Sequence, residues 1–158
     1  MINVIFVCLG NICRSPMADA VFQHMVKEAG LADDIMVDSA GTSRYHIGEN
    51  AHRGTLKILK ENGITYFGRA RQLTSHDMDV FDYVLAMDKS NLSDIQSLNR
   101  TTDTAQIQLF LQYAHNKQTV TYLEVPDPYY ADRFDEVYDM VQKGSHALLE
   151  HIRAEHNL

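Results

Sequence analysis

An α/β domain built on a central, mostly parallel sheet of four strands, flanked by helices in three layers, is the fold this sequence predicts. Three observations carry the expectation. Short β-branched and aromatic runs stand at Ile2–Val7 and Tyr83–Met87, helix-period stretches lie between and after them, and a strong helix start follows the first run within eight residues. A chain of 158 residues that is 45% hydrophobic can bury a core of its own, and with no repeat or low-complexity linker it reads as one domain over residues 1–158.

Ile2–Val7 is almost free of polar residues, as a strand buried on both faces requires. After the loop that begins at Cys8, Ser15-Pro16 predicts a helix start, with Ser as the cap and Pro at the first helical position. Met17, Val21 and Met25 recur at helical spacing, and Gly30 is placed to end that helix near Ala29. Ile35-Met36-Val37 leads into Asp38-Ser39-Ala40-Gly41-Thr42 as a second strand and turn, and Thr42 to Asn50 reads as a loop. Leu56, Ile58 and Leu59 mark a helix closed near Asn62-Gly63. Tyr83–Met87 is the third strand, and Ser90–Leu98 a short helix. The 3,4 spacing of Ile107, Phe110 and Leu111 suggests a further helix, and Tyr122–Val125 is the candidate for the fourth strand. Two prolines make Pro126-Asp127-Pro128-Tyr129-Tyr130 an ordered loop, and Phe134, Val137, Val141, Leu148 and Ile152 line a terminal helix.

Composition removes several function classes. Fourteen Lys and Arg against twenty-one Asp and Glu give a net charge of −7, a poor match to a nucleic-acid backbone. No apolar run approaches bilayer length, and the N-terminus has neither a basic n-region nor a small-residue cleavage site. Two cysteines are too few for a disulfide framework or a structural zinc site. The expectation is a cytoplasmic, monomeric protein with reduced thiols and no nucleic-acid or membrane partner, metal or cofactor. His146, His151 and His156 recur every five residues, which spreads them around a helix and predicts solvated surface.

The chemistry concentrates in Cys8-Leu9-Gly10-Asn11-Ile12-Cys13-Arg14-Ser15. A tight loop entering a helix turns backbone N–H groups toward an anion, and the helix dipole adds positive potential. Arg14 brings a planar fork that matches two phosphoryl oxygens. The same field stabilises a thiolate at Cys8, so the segment reads as a phosphate site with a nucleophile in it. Ser15 is placed to donate to that sulfur, Gly10 to let the backbone turn, and Asn11 to tie the loop together. For Cys13, simple packing and a protective thiol pairing with Cys8 stand as alternatives. A phosphoryl transfer also needs a proton for the leaving oxygen, and Asp127 in its stiff loop is the candidate acid, with an ordinary turn aspartate as the alternative. Tyr129 and Tyr130 are either part of the core or walls for an aromatic substrate.

Taken together, these residues resemble the low-molecular-weight protein tyrosine phosphatases over nearly the full length. Val7 to Ala18 looks like the family's N-terminal signature, Asp38-Ser39-Ala40-Gly41-Thr42 like its second motif, and Asp127-Pro128-Tyr129-Tyr130 like its acid loop. Phe81-Asp82-Tyr83 and Met87-Asp88-Lys89-Ser90-Asn91 look like further family segments in the expected order. The resemblance implies metal-independent hydrolysis of phosphotyrosine, in a protein or as an aryl phosphate, through a cysteinyl phosphate. Cys8 would be the nucleophile, Arg14 the phosphoryl ligand and Asp127 the acid. Leu9, Gly10, Asn11, Ile12, Cys13, Arg14 and Ser15 would bind phosphate, Asn11, Ser15 and Ser39 would brace the loop, and Ile12, Tyr45, Tyr129 and Tyr130 would form the rim. Two departures stand out. Some relatives carry histidine just before Arg69-Ala70-Arg71-Gln72 where this chain has Gly68, so the bonds around Asn11 are expected to differ, and Tyr45 stands where many carry Trp.

The rival readings are weaker. Arsenate reductases of similar fold need cysteines beyond Cys8 and Cys13, phosphoarginine phosphatases tend to have Thr at the position of Ile12, and a non-enzymatic phosphate-binding module leaves Cys8 and Asp127 unexplained.

Overall fold

The computed structural model describes residues 1–129 and 132–158. Strands β1 (Ile2–Cys8), β2 (Ile35–Gly41), β3 (Tyr83–Ala86) and β4 (Gln106–Leu109) form one sheet in the order β2-β1-β3-β4, every neighbouring pair parallel. Helices α1 (Arg14–Glu28), α2 (Arg53–Glu61), α5 (Gln112–Asn116) and α6 (Phe134–His156) cover one face, and α3 (Ser75–Val80) and α4 (Lys89–Gln96) the other.

The two-residue period of a strand explains how the apolar run at the N-terminus serves both layers. Val4, Phe6 and Cys8 face the larger core with Met17, Phe22, Phe110 and Val141, while Ile5 and Val7 face the smaller one with Met78 and Ile95. From β1 the chain passes to β2 on one side and later to β3 on the other. The strand order therefore reverses at the carboxyl end of β1, the place where open α/β sheets leave a crevice for ligands. Cys8 is the last residue of that strand.

Several expectations need correction. Helix α1 begins at Arg14, with Cys13 as its N-cap and no side chain capping it. Ser15 lies inside the first turn, because its hydroxyl is engaged with Cys8 and Asn11 and is not available as a cap. Ile107 belongs to strand β4, not to a helix. Its partner in the pattern is Leu109, alternating with Gln106 and Gln108 at the half-exposed edge of the sheet, and a helix begins only at Gln112. Tyr122–Val125 forms no strand. One ladder-like bond, Val125 N–H to the Met87 carbonyl at 2.8 Å, extends β3 by a single step before Pro126 and Pro128 stop it. Helix α3, unread in the sequence, is announced by a capping box in which Thr74 and Asp77 each bond the other's backbone N–H. On α6, His146 and His156 are exposed as expected, His156 with Nε2 3.0 Å from the Tyr83 hydroxyl, whereas His151 is half-buried with its ring 4.6 Å from that of Tyr113.

Arg71 ties the end of β2 to α3, with Nη2 2.9 Å from Asp38 Oδ2 and Nη1 2.9 Å from Asp77 Oδ2. Burial alone would raise the Asp77 carboxyl, but the bonds from Arg71 and Thr74 outweigh it and hold it below its ordinary range. A carboxyl depressed in the folded state contributes stability above its unfolded pKa of about 3.9 and loses it as pH falls through the lower folded value. Asp77→Asn is therefore expected to cost about 1 kcal/mol near pH 6 and progressively less below about pH 4, by urea unfolding at the two pH values. A cost that does not change with pH would show that the charge contributes nothing.

Candidate active site

The loop between β1 and α1 is organised by where its carbonyls go. The Cys8 carbonyl accepts from Thr42 N–H at 2.9 Å, Leu9 from Ser43 N–H at 2.9 Å, Ile12 from His52 N–H at 2.7 Å, and Cys13 from the Thr55 hydroxyl at 3.0 Å. No peptide bond among the described residues is cis, and a trans peptide points its N–H opposite its C=O. With those carbonyls turned outward, the amides of Leu9, Gly10, Cys13 and Arg14 face the inside of the loop. That is an anion cradle continued by the uncapped first turn of α1.

Cys8, 3% exposed as a residue, places its sulfur on the floor of the cradle. It lies 3.0 Å from Ser15 Oγ and accepts from Asn11 N–H at 3.3 Å. Asn11 is in the left-handed region at φ 57°, a conformation asparagine tolerates better than most residues. Its amide holds it there: Nδ2 donates to Ser15 Oγ at 2.8 Å and Ser39 Oγ at 3.0 Å, and Oδ1 accepts from Arg71 N–H at 3.0 Å. Gly68 contributes no side chain to these bonds. Tyr66, two residues earlier, reaches in instead, with its hydroxyl 3.4 Å from Ser39 Oγ.

Arg14 is buried, its side chain 3% exposed. Nη1 donates to Asp88 Oδ2 at 2.7 Å and to the Val125 carbonyl at 2.9 Å, while Nη2 is 3.8 Å from Asp127 Oδ2. Burial works against the cation, but the charges of Cys8, Asp88 and Asp127 outweigh it and hold the guanidinium more firmly protonated than usual. Nε has no hydrogen-bond partner among the described residues. Asp127, 36% exposed at its side chain, accepts from Tyr129 N–H at 3.0 Å, an Asx-type turn between the two prolines. The Cys13 thiol is pushed up to about 12 by burial first, then by Cys8 and Asp127, so it stays protonated beside Cys8.

Cys8, Leu9, Gly10, Ile12, Cys13, Arg14, Tyr45, Asp127 and Tyr129 all line one cavity of about 380 Å³. Tyr45 projects from its rim, 82% exposed. Ser39 lies behind the loop, bonded to Asn11 and not in the cavity wall. Tyr130 falls outside the described residues. The sequence reading missed Asp88, Ser43 and His46. His46 lines the same cavity, its ring 4.9 Å from that of Tyr45 and its Nδ1 2.9 Å from Glu49 Oε2. The only local sign of it is its place in the loop after β2. Arg71 is committed to Asp38 and Asp77 and leaves no charge for the cavity. A larger open groove of about 660 Å³ lies on the far side of α1 and holds none of the cradle residues.

The sequence model of the family described as low molecular weight phosphotyrosine protein phosphatase matches residues 3–158. The chain is 43% identical to the low molecular weight protein-tyrosine-phosphatase YfkJ of Bacillus subtilis, with 100% of each covered. It is 44% identical to the low molecular weight protein-tyrosine-phosphatase PtpA of Staphylococcus epidermidis, covering 100% of this chain and 98% of that one. The crystal structure of YfkJ aligns at a TM-score of 0.92 over 98% of this chain and 96% of that one. A structure described as a Drosophila arginine phosphatase aligns at 0.87 with 32% identity, covering 97% and 98%.

Gly41 shows how tightly β2 abuts the cradle: a Cβ there would stand 2.8 Å from the Leu9 carbonyl oxygen and 3.1 Å from Gly10 C, both backbone atoms of the loop. Gly41→Ala is expected to cost about 1–3 kcal/mol of stability and to weaken inorganic phosphate binding roughly tenfold, by thermal unfolding and titration calorimetry. Unchanged phosphate affinity would mean that β2 does not set the shape of the loop.

Proposed function

This chain belongs to the low molecular weight phosphotyrosine protein phosphatase family, and from that premise we propose how its residues divide the hydrolysis of phosphotyrosine among them. The protein is a protein tyrosine phosphatase, a phosphoric monoester hydrolase. Cys8 Sγ attacks phosphorus as the thiolate, forming the S–P bond while the P–O bond to the phenol breaks. Asp127, in its acid form, gives its proton to the departing oxygen. The resulting carboxylate then takes a proton from water, the water oxygen attacks phosphorus, the S–P bond breaks, and inorganic phosphate leaves with the thiolate restored. Arg14 and the inward amides of Leu9, Gly10, Cys13 and Arg14 hold the equatorial oxygens as charge shifts among them, with no metal step.

The observation that carries this reading is the guanidinium of Arg14. One nitrogen is anchored on Asp88 and Val125, and Nε is buried with no partner among the described residues, in the wall of the cavity whose floor is the Cys8 sulfur. A buried donor left in that state is costly, and a phosphoryl oxygen in the cradle is the acceptor that relieves it. The aromatic class of substrate follows from the walls: Ile12, Tyr45, His46 and Tyr129 stand above the cradle, so a phenyl ring is gripped while its phosphate reaches the floor. Phenol also leaves more easily than an alcohol, since its pKa is about 10. All of these groups come from one chain, which supports action as a monomer. Two free thiols in and beside the cradle support a reducing, cytoplasmic setting.

The test is hydrolysis of p-nitrophenyl phosphate and a phosphotyrosine peptide, with EDTA present and phosphoserine and phosphoarginine peptides alongside. Cys8→Ser is expected to abolish turnover, and Asp127→Asn to lower kcat by about 10²–10⁴ on phosphotyrosine but less on esters with acidic leaving groups. Equal losses on every leaving group would remove Asp127 from the acid role, and faster turnover of phosphoarginine would reassign the substrate.

A further inference from the structure

Behind the cradle, hydrogen-bond donors run in two directions from one amide. Nδ2 of Asn11 can only donate, and it gives its two hydrogens to Ser15 Oγ and Ser39 Oγ. Each hydroxyl, having accepted, has one hydrogen left to give. For Ser15 the acceptor is Cys8 Sγ at 3.0 Å, since the alternative, the Ala40 carbonyl, lies at 3.5 Å. For Ser39 the acceptors within reach are Tyr66 Oη at 3.4 Å and the Asp19 carboxyl behind it, to whose Oδ2 the phenol gives its own hydrogen at 2.9 Å. Asp19 is a 3%-exposed carboxyl on α1, one helical turn beyond Ser15, and also accepts from Gln23 Nε2 at 2.6 Å. The network therefore runs from the sulfur of Cys8 at one end to a buried carboxyl at the other, with Asn11 between them; burial pushes the Asp19 carboxyl above its ordinary range, against the bonds it accepts from Gln23 and Tyr66.

Tyr66 can occupy this place only because residue 68 is glycine. A Cβ built at Gly68 overlaps the Tyr66 phenol oxygen and stands 2.9 Å from its Cε2, so any larger residue there evicts the ring. Burial, and then Asp19, push the phenol above its ordinary range, which keeps it a donor throughout neutral pH.

We infer that Tyr66, oriented by Asp19 and given room by Gly68, is a positioning residue for the Cys8 nucleophile, acting through Ser39 and Asn11. It touches neither substrate nor sulfur. Its effect is to keep Ser39 oriented as an acceptor for Asn11, and so to hold the Asn11 amide in the conformation that points its backbone N–H and, through Ser15, a hydroxyl at the thiolate. This deepens the phosphatase reading and rests on it for the turnover measurement alone.

Two readouts separate positioning from mere packing: kcat against KM on p-nitrophenyl phosphate, and the rate of Cys8 alkylation by iodoacetamide at pH 6. Cys13, held protonated, does not contribute to the second. Tyr66→Phe, which removes one oxygen and leaves the ring in place, is expected to lower kcat about 3–10-fold with KM within about twofold, and to slow alkylation by a similar factor. Gly68→Ala should reproduce both losses in the wild-type background and add nothing to Tyr66→Ala, because the ring it displaces is then gone. Unchanged kcat and alkylation in Tyr66→Phe, or a Gly68→Ala effect of equal size in the two backgrounds, would overturn the inference. Slowed alkylation in a protein whose wild type turns over no phosphate ester would uphold the inference and sink the phosphatase reading instead.

Discussion

To offer its amides to an anion, the loop after β1 must turn its carbonyls away from its own centre. Seven residues cannot satisfy those oxygens among themselves while presenting their amides to an anion, so the partners must come from elsewhere in the chain. Thr42 and Ser43 at the end of β2, His52 at the start of α2 and Thr55 within α2 supply them. The parallel pairing of β1 with β2, which sets Cys8 beside Gly41, is thus more than a way to close the sheet. It brings a rank of backbone donors against the outside of the loop, and the absence of a Cβ at Gly41 lets them come close enough.

Charge at the site is equally local. A protein of net charge −7 has no long-range attraction for a dianion, and at physiological salt the field of distant groups is screened within about 8 Å. The affinity must come from the amides and from one buried cation. Asp88 and Asp127 beside Arg14 look counterproductive for anion binding, yet a buried guanidinium without a carboxylate partner is unstable. Asp88 meets that need at 2.7 Å on one nitrogen, while Asp127 stands off at 3.8 Å. The ion pair therefore fixes the fork in place while leaving Nε without a partner among the described residues.

How much of this is legible in the sequence depends on distance along the chain. Cys8, Asn11, Arg14 and Ser15 lie within eight residues, and the chemistry of a short loop entering a helix is local enough to read directly. The α/β class is legible for the same reason, since periodicity is a local property. The fourth strand is not. At an edge only Ile107 and Leu109 need be apolar, and with Phe110 and Leu111 just beyond, a two-residue alternation merges into something like helical spacing. Asp88 is 74 residues from the Arg14 it anchors, and Tyr66 is 47 from Asp19. Side chains that meet only through the fold leave no pattern in sequence, and the departure at Gly68 can be noticed there but not resolved. Ser15 is legible as a donor to the sulfur but misleading as a helix cap. Its hydroxyl serves Cys8, and the helix start goes uncapped so that its amides remain available to an anion.

Two cysteines five residues apart in one anion site pose a selection problem, since a second thiolate would occupy the field meant for the substrate. The two thiols are equally buried, Cys8 at 3% and Cys13 at 4% exposure, so what separates them is the set of groups around each sulfur. Both belong to the larger core and both line the cavity, but at Cys13 desolvation, followed by the charges of Cys8 and Asp127, pushes the thiol up to about 12. Cys8, at a strand end, instead receives an amide hydrogen and a hydroxyl. The same loop thus contains one sulfur surrounded by donors and one surrounded by apolar groups and negative charge. The two surroundings differ in the respect that matters to a thiolate, the hydrogen-bond donors that meet the sulfur of Cys8.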